Sequence, residues 1–261
     1  MRLRIPAAVL ALLLFCPAAV LPHDDDEVKG QLGKVSFQNS CDPKVQPLLL
    51  RGIAMLHSFW YSAAEKTFRD VLAQDPSCAI ATWGFAAIMM SNPLAGQGAS
   101  AKGAEQSIAM LEQGRRVGAR TQRERDYIDA VAAYYEDWAN RSERTRQLAR
   151  AKAYEALAAR YPQDDEAQIF SALYIAGTQL QSDQTYAAYL KAAAILEKQF
   201  VKYPDHPGVA HYLIHSYDAP PIAQQGLNAA RRYAGIAPEA PHALHMPSHI
   251  FTRVGAWEES A

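Results

Sequence analysis

Residues 51–76, RGIAMLHSFWYSAAEKTFRDVLAQDP, decide the fold class of this chain. A helix-like run ends at Pro76, and proline stops a helix because it lacks a backbone N–H and clashes with the preceding turn. Similar runs end at Pro162, Pro204 and Pro238. Pro204 and Pro238 lie 34 residues apart, and a fixed period of this length indicates a repeat protein built from helix pairs.

The residues before Pro76 match one repeat family closely. With Pro76 at position 32 of a unit, Gly52, Tyr61, Ala64 and Phe68 fall at positions 8, 17, 20 and 24. This pattern resembles the tetratricopeptide repeat (TPR) family, in which these small and large residues let the two helices of a pair interlock. The resemblance implies an all-α fold, namely a right-handed superhelical solenoid of antiparallel helix pairs.

The repeat domain is predicted to span residues 45–261. The register is lost between residues 91 and 145, where a loop rich in Gly and Ser intervenes. The chain stops at repeat position 21, part-way through a helix that lacks partners for its apolar face. We therefore expect the domain to be truncated at its C-terminus.

The first residues have the features of a secretory signal. Arg2 and Arg4 form a basic start, and the apolar core from residue 7 to residue 15 is too short to span a membrane. The sequence thus predicts a signal peptide over residues 1–22, an N-terminal extension over residues 23–44, and no transmembrane segment in the mature chain. The expected location is periplasmic or secreted.

Cys41 and Cys78 remain after removal of the predicted signal. An oxidising compartment permits two such thiols to pair. We predict a Cys41–Cys78 disulfide, and the alternative is two separate buried thiols.

The charge of the chain excludes one class of partner. The formal net charge is −1 at pH 7, so no basic field exists to hold a nucleic acid. With 49% hydrophobic residues, the chain can form a packed core.

Five histidines follow the repeat. His211 and His215 are four residues apart, as are His245 and His249, and the second pair is offset from the first by 34 residues. Residues i and i+4 share a helix face, so each pair is co-facial. In the TPR register these positions, with that of His242, line the concave groove. We expect His211, His215, His245 and His249 to form one site, with Asp218 and His242 nearby.

Neutral imidazoles in such a patch suit Zn²⁺, Cu²⁺ or Ni²⁺. Two alternatives stay open: the histidines recognise a peptide, or they are buried partners of backbone carbonyls. The resemblance also places His57 and Trp83 in the groove. His206, between Asp205 and Pro207, is interpreted as an inter-repeat turn residue.

Two functions follow from these features. The first is an exported TPR-type binding or scaffold protein that recognises a peptide or protein partner in its groove. The alternative is a metal-binding protein or metal-dependent enzyme that uses the groove histidines. The sequence assigns no catalytic residue, because neither a phosphate-binding loop nor a nucleophile motif is visible.

Overall fold

A computed structural model describes residues 30–260, and the predicted signal peptide lies outside them. Every regular element in this range is helical. The helices are α1 (Gln46–His57), α2 (Tyr61–Gln74), α3 (Ile80–Met89), α4 (Ala101–Val117), α5 (Gln122–Tyr135), α6 (Glu143–Arg160), α7 (Asp165–Ala176), α8 (Ala187–Lys202), α9 (Pro207–Tyr217), α10 (Leu227–Ile236), α11 (Pro241–His245), α12 (Pro247–Val254) and α13 (Trp257–Ser260). A 3-10 turn, Ala223–Gly226, precedes α10. The predicted all-α class is confirmed.

The residues that suggested a repeat meet at a helix contact. Phe68 and Ala64 of α2 are fully buried. Gly52 of α1 and Gly84 of α3 both lie against the Phe68 ring: a Cβ on Gly84 would collide with the ring, and a Cβ on Gly52 would crowd it at 3.2 Å. Two glycines thus let α1 and α3 approach one aromatic ring of α2, and this close approach locks the first three helices together.

The helices pack in chain order, with additional contacts between alternate helices. Each of α1 to α9 packs against the next, with α7 and α8 forming one of the largest contacts. Alternate contacts join α1 to α3, α3 to α5, and α7 to α9. In addition, α1 packs against α9, which is far away in the chain. This last contact departs from a strictly nearest-neighbour repeat array, and it brings the end of α1 to the histidines of α9.

The chain before α1 crosses several helices without regular structure. At one end, the amide of Lys34 donates to the carbonyl of Asp205 at 3.0 Å. In the middle, Phe37 is buried and stacks on Trp83 with ring centroids 5.2 Å apart. At the other end, the hydroxyl of Ser40 donates to the carboxylate of Glu124. Residues 30–41 therefore cover the interior side of α3 and α5.

Cys41 and Cys78 form a disulfide that fastens this segment to the start of α3, so the predicted pairing is confirmed. Their sequence separation is 37 residues. In the chain-entropy model, closing a loop of that length stabilises the fold by about 4 kcal/mol.

Within residues 30–260, no helix combines the length and the apolar character needed to cross a membrane.

Candidate metal centre

Helix α9 presents the first histidine pair. Pro207 occupies the first turn of α9, where its missing N–H costs nothing. The side chain of His206 caps the helix by accepting from the amide of Val209 at 3.3 Å. Four residues apart on one face, His211 and His215 place their Nε2 atoms 3.1 Å from each other. The predicted co-facial pair is therefore present.

The tautomer of His211 is set by the main chain. Its Nδ1–H donates to the backbone carbonyl of His57 at 2.6 Å, and its ring stacks on Tyr233. Burial, reinforced by the neighbouring histidines, holds the pKa of His211 well below its ordinary value. The ring is thus neutral, and its Nε2 lone pair faces His215.

His242 of α11 completes a group of three. Its ring centroid lies 4.9 Å from that of His211, and its Nε2 is buried with no hydrogen-bond partner. One ligand atom from each of His211, His215 and His242 lies within 4.8 Å of the other two. Burial, together with neighbouring histidines, lowers the pKa of His242 to about 4 and that of His215 to about 3. All three rings are therefore neutral near pH 7.

The second histidine pair lies beside the first. The Nε2 atoms of His245 and His249 are 2.9 Å apart. The ring of His249 lies 6.2 Å from that of His215, and the ring of His245 lies 6.0 Å from that of His242. Together, His211, His215, His242, His245 and His249 form what we call the five-histidine cluster.

The helix that carries the second pair is interrupted between its two histidines. Helix α11 ends at His245 and α12 begins at Pro247. Pro247 has no N–H to continue the ladder, and the amide of His249 bonds the carbonyl of Met246, three residues back, at 3.1 Å. Despite this interruption at Pro247, the imidazoles of His245 and His249 face each other.

Asp218 orients a histidine and has both of its oxygens engaged. Its Oδ2 accepts from Nδ1 of His249 at 2.8 Å, and its Oδ1 accepts from Nε of Arg253 at 2.9 Å. Burial alone raises the pKa of Asp218, but these two hydrogen bonds outweigh it and keep that pKa below its ordinary value. The arrangement is the carboxylate–histidine contact that positions metal ligands in proteins.

The nitrogen spacings suit a transition metal. Zn–N bonds measure about 2.0–2.1 Å, so two tetrahedral ligands on one ion lie about 3.4 Å apart. The Nε2 separations of 3.1 and 2.9 Å are close to this value. Uncharged nitrogen donors suit Zn²⁺, Cu²⁺ and Ni²⁺ better than Ca²⁺ or Mg²⁺, which prefer oxygen.

His57 and Trp83 do not line an open groove, which corrects the expectation from the TPR register. Both are fully buried. The indole Nε1–H of Trp83 donates to the hydroxyl of Tyr154 at 2.7 Å, while Phe37 covers the ring. The physical reason is that residues 30–41 and the contact between α1 and α9 occupy the space that a TPR groove would leave open to solvent.

His57 instead belongs to a second cluster that the sequence did not predict. Its Nε2–H donates to Glu166 at 2.9 Å, and Nε2–H of His206 donates to the other oxygen of Glu166 at 3.0 Å. Tyr212 donates its hydroxyl proton to Nδ1 of His57 at 3.0 Å. We call His57, Glu166 and His206 the Glu166 cluster. All three are buried, so His206 is a buried helix cap as well as a turn residue.

The Glu166 cluster combines residues from three distant parts of the chain. Burial lowers the pKa of His57 despite the nearby carboxylate. Burial alone raises the pKa of Glu166, but interactions with His206 and His57 outweigh it and hold that pKa below its ordinary value. An ionised carboxylate is thus held between two imidazole N–H donors. No local spacing signals this contact, because its members lie 109 and 40 residues apart.

Comparison with protein-family models, with curated proteins and with solved structures found no match to this chain. The similarity to TPR proteins thus rests on Gly52, Tyr61, Ala64, Phe68 and the prolines at the ends of the repeats. The function has to be argued from the geometry of the clusters.

Proposed function

We propose that this protein binds a transition-metal ion through His211, His215 and His242. The observation that carries the proposal is the buried Nε2 of His242, which has no hydrogen-bond partner and lies beside the facing nitrogens of His211 and His215. A buried polar atom without a partner is costly. A metal ion would satisfy this nitrogen and replace the contact between His211 and His215.

The three-histidine set leaves a coordination position open. Three neutral ligands do not cancel the charge of a divalent ion, and tetrahedral sites with three protein ligands take a water or another ligand in the fourth position. Asp218 is occupied by His249 and Arg253, so it does not supply a base beside the ion. The proposal is therefore metal binding, and it includes no catalytic step.

A calorimetric titration of the metal-stripped chain with Zn²⁺ tests this function. We expect Zn²⁺ binding that weakens strongly in His215→Ala and in His242→Ala. Leu244→Ala is the matched control, because Leu244 is exposed beside His245. Absence of Zn²⁺ binding, or binding that neither histidine substitution changes, would overturn the proposal.

We also infer that the helix pairs stack as a TPR-type right-handed superhelix. Three features support this architecture: consecutive packing, alternate-helix contacts such as α7 with α9, and the 34-residue offset between the histidine pairs of α9 and α11–α12. Recognition of a peptide in the groove is the less favoured function, because His57 and Trp83 are buried. Export remains part of the proposal, and the Cys41–Cys78 disulfide is consistent with an oxidising compartment.

A further inference from the structure

His245 and His249 stand apart from the three-histidine group in one measurable respect. Two nitrogen ligands on a single zinc ion are at most about 4.2 Å apart, twice the Zn–N bond length. Within residues 30–260, these two histidines belong to no set of three histidine, cysteine or carboxylate ligand atoms that all lie within 4.8 Å of one another. With the side chains as they stand, one ion therefore cannot take three of these ligands if His245 or His249 is among them.

The pair nevertheless has the features of a site of its own. His249 carries its Nδ1 proton toward Asp218, so its Nε2 presents a lone pair. His245 is exposed, and the Nε2 atoms of the two rings are already at ligand spacing, 2.9 Å apart. Asp218 is in turn held by Arg253, which fixes the carboxylate that orients His249.

We propose that His245 and His249 bind a second transition-metal ion, adjacent to the first and separate from it. The ion belongs to the same class, Zn²⁺, Cu²⁺ or Ni²⁺, because the donors are again imidazole nitrogens. Two protein ligands at an exposed position leave the remaining coordination sites to water or to a ligand from solution. The second ion therefore binds more weakly than the first and exchanges more readily.

The inference shares its ligand chemistry with the proposed function but depends on different residues, so the two can fail separately. The experiment is a Zn²⁺ titration of the metal-stripped full chain, with stoichiometry checked by native mass spectrometry. The variants are His245→Ala/His249→Ala, His215→Ala/His242→Ala and Asp218→Asn, with Leu244→Ala as the control. Circular dichroism verifies that each variant is folded.

The expected result is two equivalents of Zn²⁺ in the unmodified chain and in Leu244→Ala. The His245→Ala/His249→Ala variant loses the weaker equivalent and keeps the tighter one, and His215→Ala/His242→Ala does the reverse. Asp218→Asn keeps both equivalents and weakens only the second, by about 10- to 100-fold, the usual cost of removing an orienting carboxylate.

Three results would overturn the inference. If only one equivalent of Zn²⁺ binds and either double substitution abolishes it, the two groups share one site. The proposed function would survive that result. If only one equivalent of Zn²⁺ binds and His245→Ala/His249→Ala does not change its affinity, only the three-histidine site binds zinc. Absence of any bound Zn²⁺ would remove both the inference and the proposed function.

Discussion

The Glu166 cluster and the five-histidine cluster use the same side chain in opposite ways. In the Glu166 cluster, every ring nitrogen has a hydrogen-bond partner: Glu166, Tyr212 or the amide of Val209. In the five-histidine cluster, imidazoles face one another across about 3 Å, and Nε2 of His242 has no partner. The first is a completed hydrogen-bond network, and the second brings imidazole nitrogens together in a group of three and a group of two.

The contrast shows that burial alone does not identify a ligand-binding histidine. His57 and His211 are both fully buried, but only His211 has a nitrogen that faces other imidazoles. A satisfied buried network stabilises a fold, whereas a hydrogen bond between two imidazoles, such as the one from Nε2–H of His215 to Nε2 of His211, can be exchanged for bonds to a cation. Substitutions in each cluster test this division, and the largest effect is expected in the Glu166 cluster.

Replacing Glu166 should damage folding more than any substitution in the five-histidine cluster. In Glu166→Ala, the N–H groups of His57 and His206 lose their acceptor inside the core, and each unmet donor costs about 1–3 kcal/mol. The free energy of unfolding, measured by urea denaturation, is expected to fall by about 2–6 kcal/mol, the total for two such donors. Glu166→Gln should cost less, because it keeps the shape and one acceptor oxygen.

A Glu166→Ala protein as stable as the parent would show that the cluster contributes nothing to stability. Loss of Zn²⁺ binding in a fully folded Glu166→Gln protein would place Glu166 within the metal centre and end the division between the clusters.

His242→Ala should have the opposite profile. Zn²⁺ affinity is expected to fall by at least about 100-fold, or about 2.7 kcal/mol, because a ligand should matter at least as much as an orienting partner. The stability of the metal-free chain should change by less than about 1 kcal/mol, since the substitution also removes an unpaired buried nitrogen. Calorimetry and urea denaturation on one preparation give both values, and a large stability loss with unchanged affinity would reverse the assignment.

Acid should destabilise the metal-free chain through its buried histidines. The pKa of His242 is lowered to about 4, against about 6.5 in an unfolded chain. Below pH 6.5 the unfolded state therefore binds the proton first, and stability falls as the pH drops toward 4. Because this ring is half-buried, screening by solvent reduces the expected loss of folding stability between pH 7 and pH 5 to about 1 kcal/mol.

Urea denaturation of the parent and of His242→Ala at both pH values measures this contribution. The variant should lose less stability on acidification. Equal losses in the two proteins would mean that His242 titrates as it does in the unfolded chain.

The smallest effect is expected at Pro247. Pro247→Ala restores an N–H between His245 and His249 and should make α11 and α12 more continuous, with a stability change below about 1 kcal/mol. The tighter Zn²⁺ equivalent should be unchanged, because Pro247 lies outside the three-histidine group. A change in that equivalent, measured by titration, would show that the helix interruption positions His242 as well.

Part of the candidate metal centre could be predicted from spacing. The i, i+4 pairs His211–His215 and His245–His249 are co-facial as predicted, because helical periodicity is a local property of the chain. The role of Asp218 could not be predicted, since a nearby carboxylate can either bind an ion or orient a ligand. Its two contacts, with His249 and Arg253, distinguish these roles.

Local features of the chain were enough to predict the pairing of Cys41 with Cys78 and the two co-facial histidine pairs, and the resemblance to TPR repeats implied the helical class and the small and large residues of the Gly52–Phe68 contact. These depend on short-range periodicity, on residue size and on which residues are present. Long-range packing was needed to bring His57 to Glu166, to bury Trp83 under residues 30–41, and to divide the histidines into groups of three and two. Those outcomes depend on contacts between distant parts of the chain, such as α1 with α9, and no local pattern encodes a distance across the core.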